Sequence, residues 1–87
     1  MTPDEAHLLI KLAEECGELT QIAMKTLWYG YDGYHPDDPE TSNATLLEDE
    51  IADVLTWIAR LVEQGKVRPE VVRETLSAAL ASGKGLG

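Results

Sequence analysis

Residues 8–27 read LLIKLAEECGELTQIAMKTL, twenty positions without a proline. Leu8, Leu9, Leu12, Cys16, Leu19, Ala23 and Leu27 recur mostly at intervals of three and four, the period of an amphipathic helix. Just upstream, TPDE at 2–5 reads as a helix start. Thr2 is the N-cap, Pro3 takes the first helical position and Glu5 the third, closing a capping box. The spacing predicts a helix over about 3–27. Yet Glu14, Glu15 and Glu18 sit among those apolar positions. A helix that sets carboxylates against its own buried flank must neutralise them or lose stability.

Outward from this helix the pattern breaks. Residues 28–43, beginning WYGYDGYHPDDPETS, combine glycines, prolines, three tyrosines and a tryptophan, and predict a long functional loop with no β pattern. A second helix is expected over about 44–63, capped by Asn43 or by Thr45 boxed with Glu48, and stopped at Gly65. Leu47, Ile51, Val54, Leu55, Ile58 and Val62 form its stripe, widened by Leu46, Trp57 and Leu61, so several neighbours should bury it. A third helix over about 69–82 turns Val72, Leu76, Ala79 and Leu80 inward, and residues 83–87 read as a frayed tail. The expected fold is all-α and single-domain over 1–87. Two long antiparallel helices and a short C-terminal one form part of a four-helix bundle completed by oligomerisation.

Size supports that last step. A chain of 87 residues is marginal as an isolated monomer and needs disulfides, metals or partner subunits. One cysteine excludes an internal disulfide and fits a reducing, cytoplasmic setting. The start MTPDEAHLL lacks a basic leader, and no apolar run reaches membrane-spanning length. With 16 acidic and 7 basic residues the formal charge is -9, which argues against nucleic acid and anionic membrane surfaces as partners.

The placement of the acids is more telling than their number. At about 100° per residue, Glu15 and Glu18 lie at the margin of the first stripe and Glu14 can converge with them. Glu50 and Asp53 repeat the i, i+3 spacing at the margin of the second stripe, between Leu46 and Trp57. If the helices pack antiparallel, four or five carboxylates face one another, and Lys25 is the one base aligned to help. A hard cation with oxygen ligands, Mg²⁺ or Mn²⁺, is the physical remedy. A single E-x-x-E or E-x-x-D is ordinarily a solvated flank. Two complementary pairs bracketing an aromatic loop point to a metal site.

EECGE followed by EIAD resembles the E-E-x-x-E…E-x-x-D signature of the MazG-like, all-α nucleoside triphosphate pyrophosphohydrolases. LAEECGELTQIAMKTLWYGYD and TSNATLLEDEIADVLTWIARL extend the similarity to short phage-type and prophage-type members over roughly 8–62, including Lys25, Gly30 and Asn43. The gap between the half-motifs is long for classical MazG but close to that of phage-like members with extended loops, and the extra helices of larger relatives are lacking, which leaves the third helix a role mainly in assembly. The resemblance implies hydrolysis of a (deoxy)nucleoside triphosphate between the α and β phosphates, giving a monophosphate and pyrophosphate, as in nucleotide-pool clean-up. By position it makes Glu15, Glu18, Glu50 and Asp53 the metal ligands, with Glu15 in a catalytic role. Glu14 becomes a further ligand, an outer supporting group or the base that activates water. It also implies a homodimer or homotetramer.

Other residues divide between two roles. Lys25 meets the phosphates or pairs with a glutamate; Asn43 reads a base or caps a helix. Trp28, Tyr29, Tyr31 and Tyr34 stack a base or pin the loop. Trp57 is expected to pack, His7 to be solvated, Cys16 to be a small buried hydrophobe and Gly17 to mark a close helix approach; His35 is too isolated to assign. Two alternatives stand beside the hydrolase. One is a non-enzymatic dimerisation or regulatory module, the other a phosphoribosyl-ATP pyrophosphohydrolase-like activity. Asp32, Asp37 and Asp38 lack the spacing of a calcium-binding loop.

Overall fold

The computed structural model describes residues 1–83. The first helix, α1 (Pro3–Tyr29), opens with the expected capping box: Glu5 N–H donates to Thr2 Oγ1 at 3.1 Å, and Thr2 N–H to Glu5 Oε1 at 2.9 Å. It stops at Gly30, whose φ of 87° few other residues tolerate. The second, α2 (Asn43–Glu63), is capped by neither Asn43 nor Thr45. Ser42 is its N-cap, its Oγ accepting from Thr45 N–H at 3.2 Å. It ends as expected at Gly65 (φ 70°), where Gly65 N–H donates to Val62 O and Lys66 N–H to Leu61 O, the paired bonds of a Schellman turn. The third, α3 (Pro69–Ser82), closes at Gly83 in the left-handed region. Residues 84–87 of the expected frayed tail lie outside the described residues.

The connection departs from a plain loop. A small antiparallel hairpin, β1 (Tyr34–His35) and β2 (Asp38–Ser42), turns at Pro36–Asp37 with a bulge between Tyr34 and His35. Neither strand alternates apolar with polar residues, so the period that betrays a strand is missing. Tertiary ties define the hairpin's base instead. Asn43 N–H donates to Gly33 O at 2.7 Å, Ala44 N–H to Tyr31 O at 2.9 Å, and Asn43 Nδ2 to Gly30 O at 3.0 Å. A Cβ on Gly33 would stand 2.6 Å from Tyr29 O and 2.9 Å from Asn43 Nδ2, so glycine is required there.

The hairpin returns α2 alongside α1, and Lys66, just past α2, forms an ion pair with Glu5 at the start of α1. That pair helps hold the Glu5 carboxyl down to about 2, ahead of the contribution of Thr2. The result is a flat slab, 17 Å through its thinnest dimension against 42 and 35 Å along the others. Its core is thin. Among the described residues only Ile22 and Leu61 are buried apolar side chains, with Thr26 and Asn43 the buried polar ones. Thr26 Oγ1 donates back to Ile22 O at 2.7 Å.

The buried line of α1 is therefore rotated from the sequence expectation. Leu9, Cys16, Ala23 and Leu27 are exposed, correcting Cys16 as a buried hydrophobe. Ile51 and Leu55 of α2, and Leu76, Ala79 and Leu80 of α3, are exposed too, and only Val72 of the expected α3 stripe is half-buried. Among the described residues, nothing apart from its own neighbours along the helix lies within 4 Å of where a Cβ on Gly17 would stand. The sequence stripes are wider than one antiparallel neighbour can cover.

Candidate metal centre

The rotation brings the acid margin to the seam. Glu15, Glu18, Glu50 and Asp53 each offer a carboxylate oxygen, and these oxygens all lie within 4.8 Å of one another. One turn of α1 and one of α2 suffice, because i, i+3 spacing keeps each pair on one side of its helix. Glu15 and Glu50 are half-buried, while Glu18 and Asp53 are exposed at the mouth. Glu15 Oε2 and Glu50 Oε2 are shielded from solvent and have no hydrogen-bond partner. Among the described residues, no cationic side chain forms an ion pair with any of the four.

Such a group resists full ionisation. Shielding from water, then the carboxylates of Glu18, Asp53 and Glu50, push Glu15 up from 4.5 to about 7. Glu50 is raised for the same first reason, followed by Glu18 and Asp53. The donor set is all hard oxygen, and two of its oxygens lack any partner. That chemistry fits a small divalent cation such as Mg²⁺ or Mn²⁺ and suits soft metals poorly.

Glu14 stands apart. Its Oε2 accepts from Lys11 Nζ at 2.9 Å and it is not one of the converging four. Lys25 lines an open cavity of about 360 Å³ with Glu18, Gln21, Ile22, Leu46 and Glu50, which sets it at the rim of the cluster. The loop residues are elsewhere. Trp28, Tyr29 and Tyr34 are exposed, and Tyr31 borders a different groove with Ala23, Thr26, Leu27 and Leu47. Asn43 is only 4% exposed and its amide nitrogen is engaged by Gly30 O, a structural tie and not a group turned to solvent.

One neighbourhood escaped sequence reasoning. Lys11 Nζ lies 5.9 Å from the centroid of the Trp57 ring, and His7 meets the same ring edge-on at 5.9 Å. Trp57 is half-buried as expected for packing, and His7 is exposed yet engaged. The signal was present. Lys11 precedes Glu15 by four residues and Glu18 by seven, which places it on their side of α1.

No helix among the described residues is long and apolar enough to cross a membrane. In comparisons with known proteins, no family model matches the chain, no curated protein matches it, and no solved structure matches it.

Proposed function

We propose that this protein is a Mg²⁺-dependent pyrophosphohydrolase of (deoxy)nucleoside triphosphates, cleaving between the α and β phosphates and serving nucleotide clean-up. One observation carries the proposal: four carboxylates from two helices converge with no cationic side chain among the described residues ion-paired to them, and two of them have shielded, unpartnered oxygens. The resemblance of EECGE and EIAD to the MazG-like signature supplies the reaction class. Glu15, Glu18, Glu50 and Asp53 would hold the metal. When bound, Mg²⁺ offsets triphosphate charge, orients the scissile bond and lowers the pKa of water. The chain's own residues do the rest. Glu15 and Glu50, half-buried, fix the inner side of the site, and Glu18 and Asp53 leave its mouth open. Lys25, at the rim of the cavity, meets phosphate oxygens, while Ile22 and Leu46 keep that wall apolar.

Self-association belongs to the same proposal. The accessible surface is 6715 Å², against about 5,100 Å² for a compact monomer of this length. The excess exceeds the roughly 800 Å² per partner of a standard interface. Leu9, Leu27, Ile51 and Leu55 are among the exposed large apolar side chains, and a homodimer or homotetramer would bury them.

The test is pyrophosphate release from the eight common NTPs and dNTPs with Mg²⁺ or Mn²⁺, beside Glu15→Gln and Asp53→Asn. Metal-dependent release that both substitutions abolish is the expected result. Folded protein that releases none, and whose melting temperature metal does not raise, would leave a helical association module in its place.

A further inference from the structure

The cluster's charge poses a problem that one metal ion does not solve. Four carboxylates and a triphosphate together exceed the charge of a single divalent cation, so the site needs protein cations at its edges. Lys25 lines the cavity on one side of the cluster along α1. Lys11 lies on the other side, one turn before Glu15.

Three observations distinguish Lys11 from an ordinary surface lysine. Its ammonium sits over the ring of Trp57, which follows Asp53 by one turn, so the ring holds the amine beside the carboxylate mouth. Its partner Glu14 is the one acid of E-E-x-x-E left out of the converging group. Its proton is held more tightly than usual, first by the hydrogen bond and charge of Glu14, with Glu15 and Glu18 adding their fields.

Resting on the hydrolase reading, we propose that Lys11 is a phosphate-binding residue of this site, held ready by Glu14 and Trp57. On substrate arrival it exchanges the Glu14 carboxylate for a phosphate oxygen. Glu14 is thus a resident counter-ion, occupying the amine while the site is empty. The exchange is favourable because a phosphate oxygen next to a metal replaces an exposed i, i+3 pair, worth little by itself. Trp57 keeps the amine near its working position, limiting the rotamer entropy lost on binding.

Two substitutions pull in opposite directions and so test the idea. Lys11→Met should raise KM and weaken binding of Mg²⁺-pyrophosphate about tenfold, the loss of one charge-assisted hydrogen bond, with kcat changed much less. Lys11→Arg should stay within about threefold of wild type, since the charge and donors remain. Glu14→Gln, which frees the amine and removes a repulsive charge, should tighten Mg²⁺-pyrophosphate severalfold. Steady-state kinetics and calorimetry with Mg²⁺-pyrophosphate read these effects. An active wild type with Lys11→Met unchanged in KM and in pyrophosphate affinity overturns the proposal and leaves the hydrolase reading intact. If Lys11→Met fails to fold, Glu14→Gln decides: unchanged or weaker pyrophosphate binding overturns it. A wild type that turns over no nucleotide overturns both.

Discussion

The two broad sides of the α1–α2 pair share a backbone and differ in almost everything else. On one side Glu18, Asp53, Lys11 and Lys25 gather round the seam, with a cavity opening between the helices. On the other, Leu9, Cys16, Ala23 and Leu27 of α1 and Ile51 and Leu55 of α2 lie bare. Both sides are costly for an isolated chain, for opposite reasons. One crowds like charges where water screens them poorly, and the other leaves apolar surface in water. Under the proposed function each has its own remedy: a divalent cation on the first side, an apolar partner surface on the second.

The comparison breaks most sharply at Glu15. Glu15→Gln should cut metal-dependent pyrophosphate release by at least about 100-fold, beyond the usual cost of losing a group that merely supports a ligand. The same change should raise the melting temperature of the metal-free protein, because it deletes a shielded, repelled carboxylate. A loss of activity that tracked a loss of stability would contradict it. On the opposite side, Ile51→Glu should shift the sedimenting mass to that of one chain and leave the carboxylate group in place. An unchanged mass would count against this face as the proposed interface between copies.

Smaller effects sharpen the contrast. Asn43→Ala should cost about 1.5 kcal/mol in thermal or urea unfolding, the loss of one of the two hydrogen bonds that Gly30 O accepts, the other coming from Gly33 N–H. That change lies in the connection and should spare metal affinity. The charged side should also reveal itself through pH when metal is chelated. Unfolded Glu15 releases its proton near 4.5 and folded Glu15 near 7, so between those values the folded state holds more protons. Stability then falls as pH rises through that window, with Glu50 adding in the same direction. Chelated protein should melt higher at pH 5 than at pH 8, and Glu15→Gln should flatten the difference. Glu5 acts in a separate window, its contribution lost as pH falls from 4.5 toward 2. Least of all, Thr2→Ala should cost about 1 kcal/mol, far from either side's function.

The helices were legible because their ends carry local chemistry. Thr2, Pro3 and Glu5 start α1, Pro69 starts α3, and Gly65 and Gly83 stop their helices through bonds to nearby carbonyls. The acid group was legible because i, i+3 spacing on two helices survives any modest rotation. What escaped notice depends on distant partners. The hairpin's base is tied by Asn43 and Ala44 reaching back across the connection to Gly33 and Tyr31, which no local pattern encodes. The exact buried line of α1 is not legible in its sequence because Leu9, Cys16 and Leu27 are apolar yet left exposed by α2.

Gly30, Gly33 and Asn43 tie the connection into a small knot where it leaves α1 and enters α2. The knot divides this stretch into a base that cannot change length and a tip, Pro36–Asp37, that can. Residues inserted at the tip would extend outward without altering how Glu15 and Glu18 register against Glu50 and Asp53, whereas one residue added between Gly30 and Gly33 would slide the two half-motifs past each other. The tip is thus the place to graft a tag, a fluorophore or a second domain.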